Sequence, residues 1–170
     1  MRTNFNFCPA CGARLEPRPV EGRLRPACPR CEFIAFTGPQ VATALLATDP
    51  RGRVLALRRG IPPGLGGWAF PGGYVDDDED PAQGAARECR EETGCEAEVE
   101  GLAGAFHVRT EDGPLVVLAF GGRLTSGQPS TSPEALEVGC FAPEELPELV
   151  FSSHRQALQA WRSGRGRREA

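Results

Sequence analysis

The sequence contains no lysine; all 19 of its basic residues are Arg. That absence reflects the composition of a source genome and carries no mechanistic reading. The sequence also lacks any apolar run near the ~20 residues that a membrane-spanning helix requires. The longest, at 41–47 and 115–120, fall far short. The opening MRTNFNFCPA has no apolar h-region, so no secretory signal is expected. The expected compartment is cytoplasmic, where thiols stay reduced. No internal repeat occurs. The chain is not basic either, with a net charge of −4. Residues 1–40 hold six Arg against three acids, and residues 41–170 hold 13 Arg against 20 acids. A nucleic-acid binder is more often basic throughout, so the expected partners include neither nucleic acid nor membrane. What remains is a 170-residue chain, 40% hydrophobic and 25% charged. Such a composition excludes a disordered or fibrous protein and suits one domain with a small appendage.

Four of the seven cysteines form two CxxC pairs, Cys8-Pro-Ala-Cys11 and Cys28-Pro-Arg-Cys31. Each CxxC can fold into a tight knuckle presenting two thiolates to one ion, and an intervening hairpin would bring the pairs together. Two disulfides, or cysteines that merely pack, are the alternatives. Reduced thiols and matched spacing favour a four-Cys zinc site. Four protein thiolates leave no open position, so the zinc is expected to be structural. A segment this short buries too little surface to fold without it. Cys89, Cys95 and Cys140 read as small buried hydrophobes.

Beyond residue 37, aliphatic runs at 41–47 and 53–59 read as strands joined by the turn Asp49-Pro50-Arg51-Gly52. Residues 96–109 read as one strand or two, 115–124 and 135–141 as further strands, and 143–146 as a helical turn. Residues 152–161 read as an amphipathic helix. Strands outnumber helices and do not alternate with them, which indicates an α+β fold around a mixed sheet. The expected organisation is a ribbon at 1–37, a main domain at 38–162 and a disordered tail at 163–170.

Residues 81–93 carry the chemistry. Asp80 suits an N-cap, Pro81 the first helical position, Gln83 the far side of a capping box, and Gly94 the C-terminal stop. Ala82, Ala85, Ala86, Cys89 and Thr93 form a stripe of small residues for packing on a sheet. Glu88, Glu91 and Glu92 lie on the opposite stripe, where they repel one another. A solvated charged face is the ordinary reading of such a stripe. Clustered hard oxygens on a rigid helix also suit Mg²⁺ or Mn²⁺.

The wider spacing decides between these readings. Gly73, Glu79, Arg87, Glu88, Glu91, Glu92 and Gly94 reproduce every fixed position of G-x5-E-x7-R-E-U-x-E-E-x-G-U, where U is a bulky aliphatic. This resembles the Nudix box. Both U positions, Cys89 and Cys95, are cysteine here, which implies slightly looser packing under the helix. The resemblance implies an α/β/α sandwich and a Mg²⁺- or Mn²⁺-dependent hydrolase of a nucleoside diphosphate linked to another group. It places the metals on Glu88, Glu91 and Glu92 with the carbonyl of Gly72, and makes Arg87 and Glu79 supporting residues. Glu88, Glu92, Arg87 and Glu79 are then the catalytic set. The general base stays open among Glu88, Glu92, Glu111, Glu134 and Glu137, with Glu88 or Glu92 preferred.

A four-Cys ribbon ahead of the box narrows the resemblance. The SQPWPFPxS motif of NADH pyrophosphatases is absent between Cys95 and Pro133. The segments GPQVATALL, GGWAFPGGYV and PEALEVGCFAPEELPELVFSS are similar instead to compact zinc-ribbon members that hydrolyse FAD and ADP-ribose. That implies FAD or ADP-ribose as substrate, with AMP released. A non-enzymatic ligand sensor, a ribbon that binds nucleic acid, an NADH pyrophosphatase and an RNA-decapping enzyme are the alternatives. Arg58 or Arg59 is a candidate phosphate ligand, with Arg58 preferred, and Trp68 and Phe70 are candidate base-stacking residues. Packing is the commoner role at such strand-like positions. His107 and His154 read as structural. A homodimer is expected on family analogy alone.

Overall fold

The apolar run at 41–47 becomes the central strand of a mixed sheet in the computed structural model, which describes residues 5–165. Two compact units divide those residues: 5–39 with 110–114, and 40–109 with 115–165.

In the first unit, β1 (Glu16–Val20) and β2 (Arg23–Ala27) form an antiparallel hairpin. Each CxxC sits in a turn closed by backbone hydrogen bonds. Cys8 N–H donates to Ala13 O at 2.8 Å, and Cys28 N–H donates to Phe33 O at 2.8 Å. The buried residues of this unit's apolar cluster are Cys8, Leu15, Cys28 and Ala35.

In the second unit, the sheet order is β5-β4-β3-β7-β6, with β8 also paired to β4. The strands are β3 (Gln40–Thr48), β4 (Val54–Arg59), β5 (Trp68–Ala69), β6 (Cys95–Thr110), β7 (Gly113–Gly127) and β8 (Ala135–Phe141). β3 and β7 run parallel from Gln40↔Leu115 to Thr48↔Arg123, and β8 pairs antiparallel along β4. Gly101 and Gly104 do not break β6, which is a single strand.

Helices cover both faces, which is why β3 is apolar without alternation. Leu45, Ala47 and Leu55 pack with Ala85 and Cys89 of α1 (Pro81–Thr93). Leu46, Val54, Phe70 and Leu149 pack with Leu158 and Trp161 of α2 (Ser152–Arg165). The α+β architecture with a mixed sheet agrees with the expectation. Residues 163–165, expected to begin a disordered tail, continue α2 instead, and the rest of that tail lies outside the described residues. The expected helical turn at 143–146 is a single turn in which Glu145 N–H donates to Ala142 O at 2.9 Å. No described helix is long and apolar enough to cross a membrane.

Candidate functional site

β3 and β4 pair only at Thr48↔Val54 and then part. The segment between residues 67 and 75 fills the gap and bonds to both. On the β4 side, Arg59 N–H donates to Gly67 O at 2.9 Å, and Trp68 and Ala69 pair with Arg58 and Leu57. The chain then crosses to β3. Leu45 N–H donates to Pro71 O and Thr43 N–H to Gly73 O, each at 2.8 Å, and Val75 N–H to Val41 O at 3.1 Å. Gly72 lies at the crossing. A Cβ there would sit 2.1 Å from Thr43 O, so only glycine lets the backbones approach this closely.

α1 is stopped and started as its sequence dictates. The Asp80 carboxylate accepts from Ala82 N–H at 2.8 Å, and Asp80 N–H donates to Gln83 Oε1 at 3.3 Å, completing the capping box. Gly94 ends the helix in the left-handed conformation at φ 70°. Cys89 and Cys95 are both fully buried in the core under the helix.

The helix carries its acids to the Gly72–Gly73 crossing. Glu88 lies against Gly73, where an added Cβ would be 2.4 Å from Glu88 Oε1. Glu92 Oε2 accepts from Gly72 N–H at 2.8 Å. The three glutamates do not share one solvated face. Glu91 is half exposed, Glu88 largely covered, and Glu92 is 4% exposed. Burial raises the pKa of Glu88, against the pull of Arg87. Burial also pushes Glu92 up to about 7, the Gly72 N–H opposing and the Glu88 charge adding to the rise. Loop and helix thus bring Glu88 and Glu92 together where lost solvent and neighbouring carboxyls disfavour their charges.

Arg87 braces this arrangement. Its Nε and Nη2 donate to Glu79 Oε2 and Oε1 at 3.0 and 2.7 Å, a bidentate pair. Its Nη1 donates to Glu88 at 3.0 Å and to Glu91 at 3.1 Å, and Nη2 also reaches Tyr74 O at 3.2 Å. Glu79 further accepts from Asp76 N–H at 3.0 Å. Arg87, bonded to Glu79, holds that carboxyl down to about 2. One guanidinium therefore ties the helix to the loop ahead of it and aims two of the three glutamates.

The structure separates the remaining candidates. Phe70 is 2% exposed, with its ring stacked on His154 at 5.5 Å, so it offers no face to a base. Trp68 packs edge-on against Phe141 at 5.0 Å within the α2-side core. Arg58 donates to Gly66 O at 2.9 Å and to Glu137 Oε1 at 2.6 Å, which engages both groups outside the carboxylate cluster. The β4 cation whose field reaches Glu92 is Arg59. Arg59 Nε donates to Pro63 O at 2.7 Å and its guanidinium lies over the Phe151 ring at 5.2 Å, which leaves its two Nη groups for a ligand. Among the loop acids, Glu134 is the one whose charge reaches Glu88 and Glu92. That charge raises both, and Gly60 N–H donates to the Glu134 carbonyl at 2.7 Å.

His154 is structural, through an interaction that sequence alone could not disclose. Its Nδ1 accepts from Phe70 N–H at 3.1 Å, fixing the backbone immediately before the crossing. Burial, reinforced by the Arg59 charge, holds its pKa down to about 3. A histidine neutral in the fold binds its proton more readily when unfolded. Its contribution to stability is therefore present above the unfolded pKa of ~6.5 and lost as pH falls toward 3. Between pH 7 and 5 this amounts to about 2 kcal/mol. Glu92, raised by burial, contributes with the opposite sign in wild type and variant alike. The denaturation curve of His154→Gln is expected to lack the 2 kcal/mol step relative to wild type. Parallel curves would remove His154 from this role.

In the ribbon unit, the four thiols of Cys8, Cys11, Cys28 and Cys31 all lie within 4.8 Å of one another. Cys8–Cys31 and Cys11–Cys28 are 3.6 and 3.5 Å apart, far too long for disulfides. Sulfurs around a tetrahedral zinc would be about 3.8 Å apart. The donor set and its spacing fit that ion.

Residues 38–161 match the NUDIX domain family. A MutT-like protein of Streptomyces ambofaciens is 37% identical over 110 residues, covering 65% of this chain and 68% of that protein. An ADP-ribose pyrophosphatase of Methanocaldococcus jannaschii is 28% identical over 116 residues, covering 66% of this chain and 69% of that protein. The crystal structure of a NUDIX hydrolase from Nitrosomonas europaea superposes with a TM-score of 0.80 at 29% identity, over 91% of this chain and 88% of that one.

Proposed function

Because the chain belongs to the NUDIX family of hydrolases, we propose that it cleaves the diphosphate of a nucleoside diphosphate linked to a second group, with ADP-ribose and FAD as first substrates and AMP as a product. The observation that carries this reading is the meeting of Glu88 and the buried Glu92 at Gly72–Gly73, with Glu91 joined to Glu88 through Arg87. Such a set of hard oxygens fits Mg²⁺ or Mn²⁺. The three carboxylates and the carbonyl of Gly72 would hold the ions. Bound there, a divalent cation supplies neutralisation of the diphosphate and a lowered pKa for attacking water.

The chain's own groups do the rest. Arg59 orients a phosphate of the substrate and offsets its charge. Water attacks one phosphorus of the P–O–P bridge, a P–O bond forms, and the bridging P–O bond breaks. Glu134, an exposed loop acid whose charge reaches Glu88 and Glu92, accepts the proton that the water loses. Arg87 and Glu79 position the glutamates without touching substrate. The four ribbon thiolates hold one structural zinc.

Two substitutions separate these roles. Glu134→Gln is expected to lower kcat by about 10²- to 10³-fold with KM little changed. A kcat within a few-fold of wild type would return the base to Glu88 or Glu92. Arg87→Lys cannot reproduce the bidentate pair with Glu79. It is expected to raise the Mg²⁺ concentration for half-maximal activity by about 10- to 100-fold. An unchanged Mg²⁺ titration would show that Arg87 does not aim the carboxylates.

The reading itself is tested by product analysis on ADP-ribose, FAD, NADH, diadenosine polyphosphates, capped RNA and nucleoside triphosphates, with Mg²⁺ and then Mn²⁺. AMP from ADP-ribose or FAD supports it. Turnover confined to NADH, capped RNA or triphosphates would replace the substrate assignment. Silence across the panel from folded protein would favour a ligand sensor.

A further inference from the structure

The arginines of the ribbon unit are uniformly without acids, whereas those of the larger unit are mixed, Arg51, Arg59, Arg109, Arg155 and Arg162 also lacking one among the described residues. Among the described residues, Arg14, Arg18, Arg23, Arg25 and Arg30 have no acidic partner within salt-bridge distance. In the larger unit Arg53, Arg58, Arg87, Arg90 and Arg123 all have one.

Three of the unpaired arginines share one face of the β1–β2 hairpin. Arg18 and Arg25 are directly opposite across the strands, and Arg23, opposite Val20, is the next residue on that face. Like charges in cross-strand register repel unless an anion lies over them. The Arg25 guanidinium stacks on the Phe36 ring at 4.6 Å, and that ring is 60% exposed. Arg25 Nε is buried without a hydrogen-bond partner. A groove of about 500 Å³ opens beside Arg25, with Phe5, Leu15, Leu24 and one acid, Glu16, in its wall. Cations spaced along a hairpin track a phosphate backbone, while an exposed ring and an apolar groove accept unstacked bases.

From this placement we propose that the hairpin face of Arg18, Arg23, Arg25 and Phe36 is a binding surface for single-stranded nucleic acid. The surface needs nothing from the hydrolytic site. Duplexes fit less well, since their bases are stacked and cannot reach Phe36.

The test is fluorescence anisotropy of the full, zinc-loaded chain with a labelled oligo(U) of about 15 nucleotides across a salt series. Wild type is expected to bind at low salt and to prefer the single strand over a duplex. R18Q/R23Q/R25Q should flatten the slope of log Kd against log salt by about 2, at roughly 0.7 for each phosphate that is no longer neutralised. Phe36→Ala should weaken binding about tenfold with the slope unchanged. Zinc content and the far-ultraviolet spectrum report folding of both variants. No binding by folded wild type would overturn the proposal. So would equal competition by inorganic polyphosphate together with no effect of Phe36→Ala, which would indicate a general polyanion surface. Self-association in sedimentation, abolished in the triple variant without any oligo(U) binding, would give the face to a second copy of the chain.

Discussion

Glu92→Gln will reduce hydrolysis by at least about 10³-fold, the equivalent of about 4 kcal/mol of transition-state stabilisation, and will leave the chain folded. The two halves of this expectation come from different features of the same side chain. Its charge belongs to the carboxylate set at Gly72–Gly73, and the amide removes that charge. Its Oε2 accepts from Gly72 N–H at 2.8 Å, and a glutamine oxygen can accept the same bond. The variant's Tm should match or exceed that of wild type, because a desolvated carboxylate beside Glu88 opposes folding. Full activity in a folded Glu92→Gln would remove this residue from the metal ligands. A collapsed Tm would instead show that the charge holds the crossing in place.

Cys28→Ser will take zinc from one per chain to none and will unfold the ribbon. Of the four buried residues in the ribbon's apolar cluster, two are the thiols Cys8 and Cys28, leaving one leucine and one alanine. Burying a leucine and an alanine supplies only a few kcal/mol against the ordering of some 35 residues. Structural zinc in comparable peptides contributes about 10 kcal/mol or more. Elemental analysis and limited proteolysis check both halves, with cuts between residues 5 and 39 expected only in the variant. A wild-type protein that is stable, protease-resistant and free of zinc would overturn the metal reading of the four thiols.

Local chemistry made much of the site readable in sequence. Asp80, Gln83 and Gly94 set the limits of α1 through bonds to their own backbone neighbours. The spacing of Gly73, Glu79, Arg87 and the three glutamates identified the loop-helix unit before any fold was known. Features that depend on neighbours distant in sequence were not readable. A helical projection groups Glu92 with Glu88 and Glu91, yet the loop at Gly72 closes over the last turn and buries it. Sequence leaves Phe70 a candidate for base stacking as well as for packing, because nothing nearby announces His154, 84 residues later, as its cover. Arg58 and Arg59 are adjacent and identical in chemistry. Only the pairing of β4 with β8, which sets Arg58 against Glu137, tells them apart.

The segment that joins β4 to β3 through Gly72 is laced into the sheet on both sides. Its amides should therefore exchange with solvent as slowly as those of the core strands, while the loops at 60–66 and 128–134 exchange quickly. Hydrolysis would then proceed on a fixed floor, and any closure over the substrate must come from the walls. Sequence change in those walls, Glu134 apart, would redirect the enzyme toward a new leaving group without disturbing the bond-breaking apparatus. One rigid seam in this protein thus separates what is cleaved from how it is cleaved.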